Sequence, residues 1–352
     1  MNDRRQFLKS AIGGAMLLGS KSKSGVAEFA RFVRLGDHQD RFTRHIDPAM
    51  SRVVVARDPT LHAASGELNE QRIVEVLGRA IASYTGLEKP VEAWRRLLPQ
   101  GGPDKVIGLK INGCGGKGIA THGVLVLAVV EGLRQAGVRP GNIVVWDRAS
   151  EDVEACGLTI NTDPAHVRCV GSDLFGYEDQ PVADEPITYG AAANARLSKI
   201  LTRQCDMVIG LPILADHSTA GVSFAMNNMS GVVQHPEELD AAGCNPGLAD
   251  LNLVPAIRRK VCFTIGDAIT SLYDGGAASN PEHLWRSNTL IIAEDRVAAD
   301  FTAWQMMERK RAQAGLPTLE AERRAPLYIA TAADSAHNLG FNTSAHIDLI
   351  EI

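Results

Sequence analysis

The chain has 352 residues, of which 45% are hydrophobic and 22% are charged, and its formal net charge is -5. This length suffices for one large α/β domain or two smaller ones, and the composition is that of a globular protein with a packed core. No basic stripe interleaved with aromatic residues occurs, so the sequence excludes a nucleic-acid partner of the usual kind.

The first 27 residues have the layout of an export signal. Arg4 and Arg5 open a basic segment, a short apolar stretch covers residues 11–19, and small residues lead to Ala27. This order resembles a twin-arginine signal, and it predicts an exported, periplasmic protein that uses the twin-arginine machinery. The apolar stretch is too short to span a bilayer as a stable helix. Because this route carries folded proteins, often with a cofactor inserted, the signal favours a cofactor-dependent protein.

Short apolar runs bounded by turn residues predict the strands. They cover residues 52–57, 105–111, 142–147, 206–213, 261–267, 289–295, 327–332 and 346–352. Helical spacing of apolar residues predicts helices at 69–86, 121–137, 192–204 and 296–315. The alternation indicates an α/β fold with a largely parallel or mixed central sheet and helices on both faces.

The domain boundaries are weakly marked, because no segment after residue 45 is rich in proline, glycine and serine. We expect a signal peptide at 1–27, an N-terminal segment at 28–100 that packs on the main domain, and an α/β domain at 101–352. No later segment is long and apolar enough to span a membrane, so the mature chain is expected to have no stable membrane span.

The six cysteines give no spacing typical of a metal cluster. No two of them form a CxxC pair, so ferredoxin-type iron–sulfur and zinc-ribbon motifs are absent. In an oxidising compartment, Cys156 and Cys169 are candidates for a disulfide because they flank a turn-like segment. Buried free thiols are the alternative.

Polar residues follow several of the predicted strands. Ligands of open α/β sheets bind beyond the carboxyl ends of the strands, and parallel strands place those ends at one edge. The residues concerned are Lys110 with Asn112, Asp147 with Arg148, the segment 216–218, Asp267, and Glu294 with Asp295. This recurrence predicts a small-molecule or metal site at that edge.

A glycine-rich segment separates the strand at 105–111 from the next helix. Glycine permits close backbone approach, and a helix start attracts anions, so the segment predicts a cradle for a phosphate or carboxylate. The expected cofactor-binding residues are Asn112, Gly113, Gly115, Gly116, Lys117, His122 and Asp147. A flexible glycine turn is the alternative, since the segment matches neither the dinucleotide-binding fingerprint nor the P-loop.

The segment 211–231 carries the strongest catalytic candidates. We expect His217 to act as a ligand or as a general acid and base, and Asn228 to orient a polar ligand, together with Lys110. A metal held by histidine and carboxylate would draw on His217, Asp250 and Asp267. A Ser-His-Asp hydrolase is disfavoured, because residues 216–218 are adjacent and no GxSxG elbow occurs.

The motifs "VIGLKIN", "VIGLPILADHSTAGVSFAMNNMSGVV", "AGCNPGLADLNLVPAIRRKVCFTIGDAI" and "LIIAEDRVAAD" resemble the domain of unknown function 362 family. The resemblance covers roughly residues 100–352. The family pattern falls on Lys110, Asn112, Pro212, His217, Asn228, Gly231, Asp250, Asp267, Asp295 and Asp300. Many relatives have lysine where this chain has Ala215 and Asn227, and proline at Ile111. The missing lysines favour a metal or a neutral polar ligand over a strongly anionic one.

The resemblance implies no settled activity, and the iron–sulfur clusters of some relatives are not expected here. The leading hypothesis is an exported enzyme that depends on a metal ion or another cofactor, with redox chemistry favoured over hydrolysis. Two alternatives stay open: a non-catalytic periplasmic binding protein for a metal or small anion, and a metal-dependent hydrolase of an ester or phosphoester.

Overall fold

The computed structural model describes residues 49–99, 101–116, 118–182, 190–276 and 281–352. The predicted export signal and Lys117 lie outside these residues. Within them, the strands are β1 Ser51–Arg57, β2 Ile107–Lys110, β3 Ile143–Asp147, β4 Arg168–Gly171, β5 Met207–Gly210, β6 Ile213–His217, β7 Gly221–Ser223, β8 Val261–Leu272, β9 Leu284–Trp285, β10 Thr289–Ala293 and β11 Ile347–Glu351.

The strands form one mixed sheet in the order β11-β1-β10-β8-β5-β2-β3-β4, and β6, β7 and β9 extend it beside β8. Strands β8, β5, β2, β3 and β4 pair in parallel. Strand β10 runs antiparallel to both of its neighbours, β1 and β8. The prediction of a mixed α/β sheet is therefore confirmed.

Helices cover both faces of the sheet, as expected. They are α1 Glu70–Thr85, α2 Pro90–Leu97, α3 Gly123–Gln135, α4 Ser150–Ala155, α5 Ser172–Phe175, α6 Glu237–Ala241, α7 Gly247–Leu253, α8 Pro255–Lys260, α9 Arg296–Gln313 and α10 Leu327–Ala333. Helices α1, α2 and α3 bury one aliphatic core against the sheet. Helices α7, α8, α9 and α10 contribute to separate cores that also contain the sheet's other apolar side chains.

Local sequence explains the ends of the longer helices. Helix α1 begins where the Asn69 side chain accepts the backbone N–H of Arg72, and it ends at Gly86, whose φ is 69°. Asn and Gly are favoured at these two positions, because an amide oxygen caps free N–H groups and glycine tolerates a left-handed backbone. Helix α9 begins at Asp295, whose carboxylate accepts two backbone N–H groups. These caps account for the close agreement with the predicted boundaries.

Three predicted elements differ from the structure. Residues 327–332 are helical instead of extended, because the apolar run buries Tyr328, Ile329 and Ala332 with a helical spacing. The run 206–213 is split by a break at residues 211–212 into β5 and β6. The predicted helix at 192–204 contains only short turns, of which the last is a π-helical turn at Ile200–Gln204.

The antiparallel direction of β10 also corrects the expected site. Because β10 runs against β8, Glu294 and Asp295 leave the sheet at the opposite edge from the carboxyl ends of the parallel strands. Asp295 instead caps α9 and accepts the Ser51 hydroxyl at 2.6 Å. These two residues therefore belong to the scaffold.

All six cysteines are free thiols, so the candidate pairing of Cys156 with Cys169 is wrong. Cys156 is buried among apolar side chains, and Cys169 is half-buried. Within the described part of the chain, none of the helices is both long enough and apolar enough to cross a membrane.

Candidate functional site

A polar cavity of about 210 Å³ opens where β2, β3 and β6 reach their carboxyl ends. Strand β2 pairs in parallel with β3 and β5, and β6 pairs in parallel with β8, so these ends share one edge. The edge therefore gathers side chains from distant parts of the sequence. The predicted site residues that line the cavity are Lys110, Asn112, Gly115, Asp147, His217 and Asn228.

Lys110 holds the buried polar groups of the cavity together. The residue is 1% exposed, and its Nζ donates to the Ile111 carbonyl at 2.6 Å, to Asp147 Oδ1 at 2.6 Å and to Asn228 Oδ1 at 3.2 Å. A lysine ammonium has three protons, and these bonds account for all of them. Lys110 therefore positions Asp147 and Asn228, and it has no further proton for a ligand.

Backbone amides complete this buried set. Asp147 Oδ2 accepts the Gly113 N–H at 2.7 Å, and its Oδ1 also accepts the Arg148 N–H at 2.7 Å. Asn228 Nδ2 donates to the Lys110 carbonyl at 3.0 Å, which uses one of its two amide protons. A buried ion pair is tolerated only with such additional bonds. Asn228 is therefore held rigidly, with one amide proton remaining.

Two glycines permit the close approach of these groups. A Cβ at Gly231 would lie 2.7 Å from Lys110 Nζ and 3.1 Å from Asp147 Oδ1. A Cβ at Gly113 would lie 1.8 Å from the carbonyl oxygen of Asp152. The Gly113 amide is bonded to Asp147, and the Gly116 amide donates to the Gly113 carbonyl at 2.9 Å. These amides serve close packing and a tight turn, so they do not form the expected anion cradle.

The start of α3 is occupied by a carboxylate of the chain itself. Asp267 is fully buried, and its Oδ2 accepts the His122 N–H at 2.8 Å. The same oxygen lies 2.8 Å from His122 Nδ1, and Oδ1 accepts the Ile269 N–H at 3.1 Å. A helix start attracts anions because its N–H groups are unpaired. The anion expected at this position is therefore Asp267.

Burial and Asp267 act in opposite directions on the pKa of His122. Burial lowers it, whereas the charge and the hydrogen bond of Asp267 raise it, and the net shift is upward. Neither residue is among those that line the cavity. The sequence prediction that both contact a ligand is therefore replaced by an intramolecular hydrogen bond between them beside the cavity.

The backbone selects the tautomer of the neutral His217 ring. Its Nδ1 accepts the N–H groups of Thr219 at 3.3 Å and Ala220 at 3.1 Å. A ring nitrogen that accepts hydrogen bonds carries no proton, so the neutral ring carries its proton on Nε2. Nε2 lies 3.7 Å from Asp240 Oδ1, and both residues line the cavity. His217 is therefore a hydrogen donor at the cavity wall.

His217 belongs to a group of three potential metal ligands. One ligand atom each from His217, Asp240 and Cys244 lies within 4.8 Å of the other two. A metal-bound histidine donates its other ring N–H to an acceptor, but His217 Nδ1 faces two N–H donors. Burial, together with the hydrogen bond to Asp240, also raises the pKa of the Cys244 thiol and opposes thiolate formation. The trio in this arrangement does not fit a metal ion.

The three residues predicted to hold a metal are also not brought together. His217 lies beside Asp240, whereas Asp267 holds the start of α3. Asp250 Oδ1 lies 3.0 Å from His337 Nε2. Among the described residues, the three do not form a group whose ligand atoms converge.

Asp152 is a second buried carboxyl at the cavity. Its Oδ2 accepts the Ala149 N–H at 3.1 Å and lies 3.8 Å from Arg148 Nε. Burial, and then the negative charge of Asp147, raises the pKa of Asp152, while Arg148 opposes the shift. A carboxyl whose pKa is raised exchanges its proton closer to neutral pH. Asp152 is therefore suited to proton transfer.

Asp216, adjacent to His217, serves the scaffold. Its Oδ1 accepts from Arg324 Nη1 at 2.7 Å, and its Oδ2 accepts the Gly276 N–H at 2.8 Å. The buried Arg311 lies 3.9 Å from the same carboxylate. These contacts hold the end of β6 in place and fix the backbone that carries His217.

Sequence reasoning missed several residues of the cavity. Asp240 lies in α6 at the cavity wall, whereas Cys244, four residues later and beyond the end of that helix, does not line the cavity but donates to Asp240. Asp152 lies in the first turn of α4, five residues after Asp147, so its position directly after a predicted strand was the available signal.

Comparison with known proteins identifies the family of this chain. The family described as "Domain of unknown function (DUF362)" has a model that matches residues 107–305, more than half of the chain. The crystal structure of a Thermotoga maritima protein from the Northeast Structural Genomics Consortium is 12% identical, with a TM-score of 0.44. The match covers 69% of this chain and 59% of that one. None of the curated proteins compared with this chain matches it.

Proposed function

This chain belongs to the DUF362 family, and from that premise we propose that the cavity is the active site of an enzyme that transfers a proton on a small oxygenated molecule. The observation that carries the proposal is the pairing of two groups in one cavity. His217 presents an N–H there, and Asp152 is a carboxyl with a raised pKa. A carboxyl with a raised pKa that shares a cavity with a fixed hydrogen-bond donor is typical of acid–base catalysis.

The proposed step moves one proton and leaves the electrons in the substrate. Asp152, in its ionised form, accepts the proton of a carbon next to a carbonyl group, and the bonding pair delocalises toward the carbonyl oxygen. His217 Nε2–H and the remaining N–H of Asn228 donate hydrogen bonds to that oxygen. Donors that are fixed in place before reaction stabilise such developing charge without reorganisation.

The size of the cavity supports a small substrate. Its volume of about 210 Å³ is below the roughly 300–1,000 Å³ of pockets that hold drug-sized ligands. The cofactor dependence expected from the sequence draws on the export signal, which lies outside the described residues. Proton transfer, by contrast, is supported by groups that line the cavity itself.

Hydrogen–deuterium exchange tests the proposal without knowledge of the full reaction. The purified protein is incubated in D₂O with a panel of hydroxyketones, hydroxyaldehydes and 2-oxo acids. We expect at least one compound to exchange the proton next to its carbonyl for deuterium, which NMR measures as loss of that proton's signal. His217→Gln and Asp152→Asn should each slow the exchange by about 100-fold or more, the usual contribution of a general acid or base.

Two matched variants control for general effects. His235 is an exposed histidine, and Glu154 is an exposed carboxylate on the same helix as Asp152. His235→Gln and Glu154→Gln should exchange at the wild-type rate. Absence of exchange by the wild-type protein across the panel, or equal rates in all four variants, would rule out proton transfer in this cavity.

We propose that the chain is exported through the twin-arginine route, on the basis of its first 27 residues. Replacing Arg4 and Arg5 together by lysine should leave the full-length precursor in the cytoplasm, because this route recognises the arginine pair. Cell fractionation and immunoblotting measure the outcome. Export of the double variant at the wild-type level would contradict the proposal.

A further inference from the structure

A second cavity, of about 400 Å³, lies at the carboxyl end of β1, several strands away from the polar cavity. The end of β1, the connection from β9 to β10 and the last turns of α9 form its walls. Because β1 runs in the same direction as β8, this cavity lies at the edge of the sheet where α/β proteins bind ligands. Its charged residues are Arg57, Arg286, Arg309 and Lys310.

The charge of this cavity is of one sign. Four cations line it, and no carboxylate residue does. Across the described residues, no Asp or Glu oxygen lies within salt-bridge distance of any of these four side chains. By contrast, the neighbouring Arg72 pairs with Asp58 and Glu75. The whole chain has a net charge of -5, so a local concentration of four unpaired cations opposes its average charge. Such a concentration attracts anions.

Aromatic rings hold one of the cations in place, and the three arginines are exposed. Lys310 Nζ lies 4.9 Å from the centre of the Tyr273 ring and 5.9 Å from that of Trp285, within reach of a cation–π contact. The Arg286 guanidinium lies against Gly66, where a Cβ would come within 2.9 Å of Nη2. Favourable contact with the negative end of α9 is an ordinary role for Lys310, but it does not explain the arginines of β1 and of the β9–β10 connection.

We propose that this second cavity binds a small polyanion, a compound with two or more phosphate or carboxylate groups. Guanidinium groups match these oxygens through paired, charge-assisted hydrogen bonds. Asn288 adds an amide at the same wall. The site is independent of the proposed proton transfer, because the two cavities have no lining residue in common.

Isothermal titration calorimetry of the full chain at low salt tests the site, with inorganic pyrophosphate and citrate as probes. We expect saturable binding of one equivalent, weakened by added salt. Arg286→Ala and Arg309→Ala should each weaken binding by about tenfold, the scale of one charge-assisted hydrogen bond. Binding of pyrophosphate alone identifies a phosphate site, and binding of citrate alone identifies a carboxylate site.

Arg139→Ala is the matched control. Arg139 is an exposed arginine that precedes β3, at the amino-terminal edge of the sheet. Its removal should leave the affinity unchanged, and circular dichroism should show all three variants folded. The proposal is overturned by an absence of saturable heat with both probes. It is equally overturned if Arg139→Ala weakens binding as much as the two cavity variants, or if neither of those changes it.

Discussion

Replacing Lys110 by methionine should lower the free energy of unfolding by about 3–5 kcal/mol, the usual cost of removing one partner from a buried ion pair. Methionine preserves most of the volume but leaves the buried Asp147 carboxyl without its cation. Asp147 would keep two backbone N–H bonds, from Gly113 and Arg148. Those bonds do not supply a compensating charge, so the loss should be large. Urea denaturation of the purified protein measures it.

Two further variants separate the charge from the packing. Adding Asp147→Asn to Lys110→Met removes the unpaired charge, so the double variant should recover part of the lost stability. Lys89→Met removes a lysine that is 77% exposed and pairs with Glu92; it should change stability by no more than about 0.5 kcal/mol. If Asp147→Asn lowers the stability of the Lys110→Met variant by as much as it lowers that of the wild type, the two residues are not coupled.

Replacing Asp300 by asparagine should stabilise the protein at pH 8, by up to about 4 kcal/mol. Burial raises the pKa of Asp300 to about 7, although the Tyr328 hydroxyl and the backbone N–H groups of Ala225 and Met226 oppose the shift. The Oδ1 of asparagine can still accept the N–H groups of Ala225 and Met226, which lie 2.6 Å and 3.4 Å from Asp300 Oδ1. Its amide can donate to the Tyr328 oxygen, while the Tyr328 O–H donates to the Val222 carbonyl at 3.1 Å.

The direction of the pH dependence follows from proton linkage. The unfolded chain releases the Asp300 proton near pH 3.8, whereas the folded chain keeps it up to about pH 7. Between these values the folded state binds more protons, so wild-type stability falls as the pH rises. The Asn variant lacks this slope, and its advantage over the wild type should grow from pH 4 to pH 7 and then level off.

Comparing the two proteins at each pH removes the contribution of other groups, such as His122. Thermal or urea denaturation at pH 5 and pH 8 measures the difference. Asp104→Asn is the control, because Asp104 is 84% exposed, and it should have little effect at either pH. A difference between Asp300→Asn and the wild type that is equal at pH 5 and pH 8 would contradict a raised pKa for Asp300.

The sequence predicted β2, β3, β5 and β8, because each contains a short apolar run buried on both faces, but it missed the parallel strand β4, which is only partly buried. Strand direction was harder to predict. The run at 289–293 reads like its parallel neighbours, but its antiparallel pairing with β1 and β8 depends on contacts far along the chain. The apolar residues of the run at 327–333 suit the spacing of a strand as well as that of a helix. The run is helical because it packs against α9 and α7.

The candidate site was predictable where a polar residue directly follows a parallel strand. Lys110 and Asp147 end their strands, and His217 ends β6, so all three reach the cavity. Asp267 was predicted to end a strand, but β8 continues to Leu272, and Asp267 within it pairs with His122 at the start of α3. Sequence spacing does not reveal such pairing, since 145 positions separate them.

The buried Asp267 at the start of α3 has a consequence for substrate choice. A tethered carboxylate competes for those amides at a very high effective concentration, so a dissolved phosphate or carboxylate would seldom displace it. The cavity wall itself carries Asp147, Asp152, Asp216 and Asp240 against the two cations Lys110 and Arg148. Uncharged sugars, ketones and alcohols should therefore enter this cavity more readily than their phosphorylated or acidic counterparts.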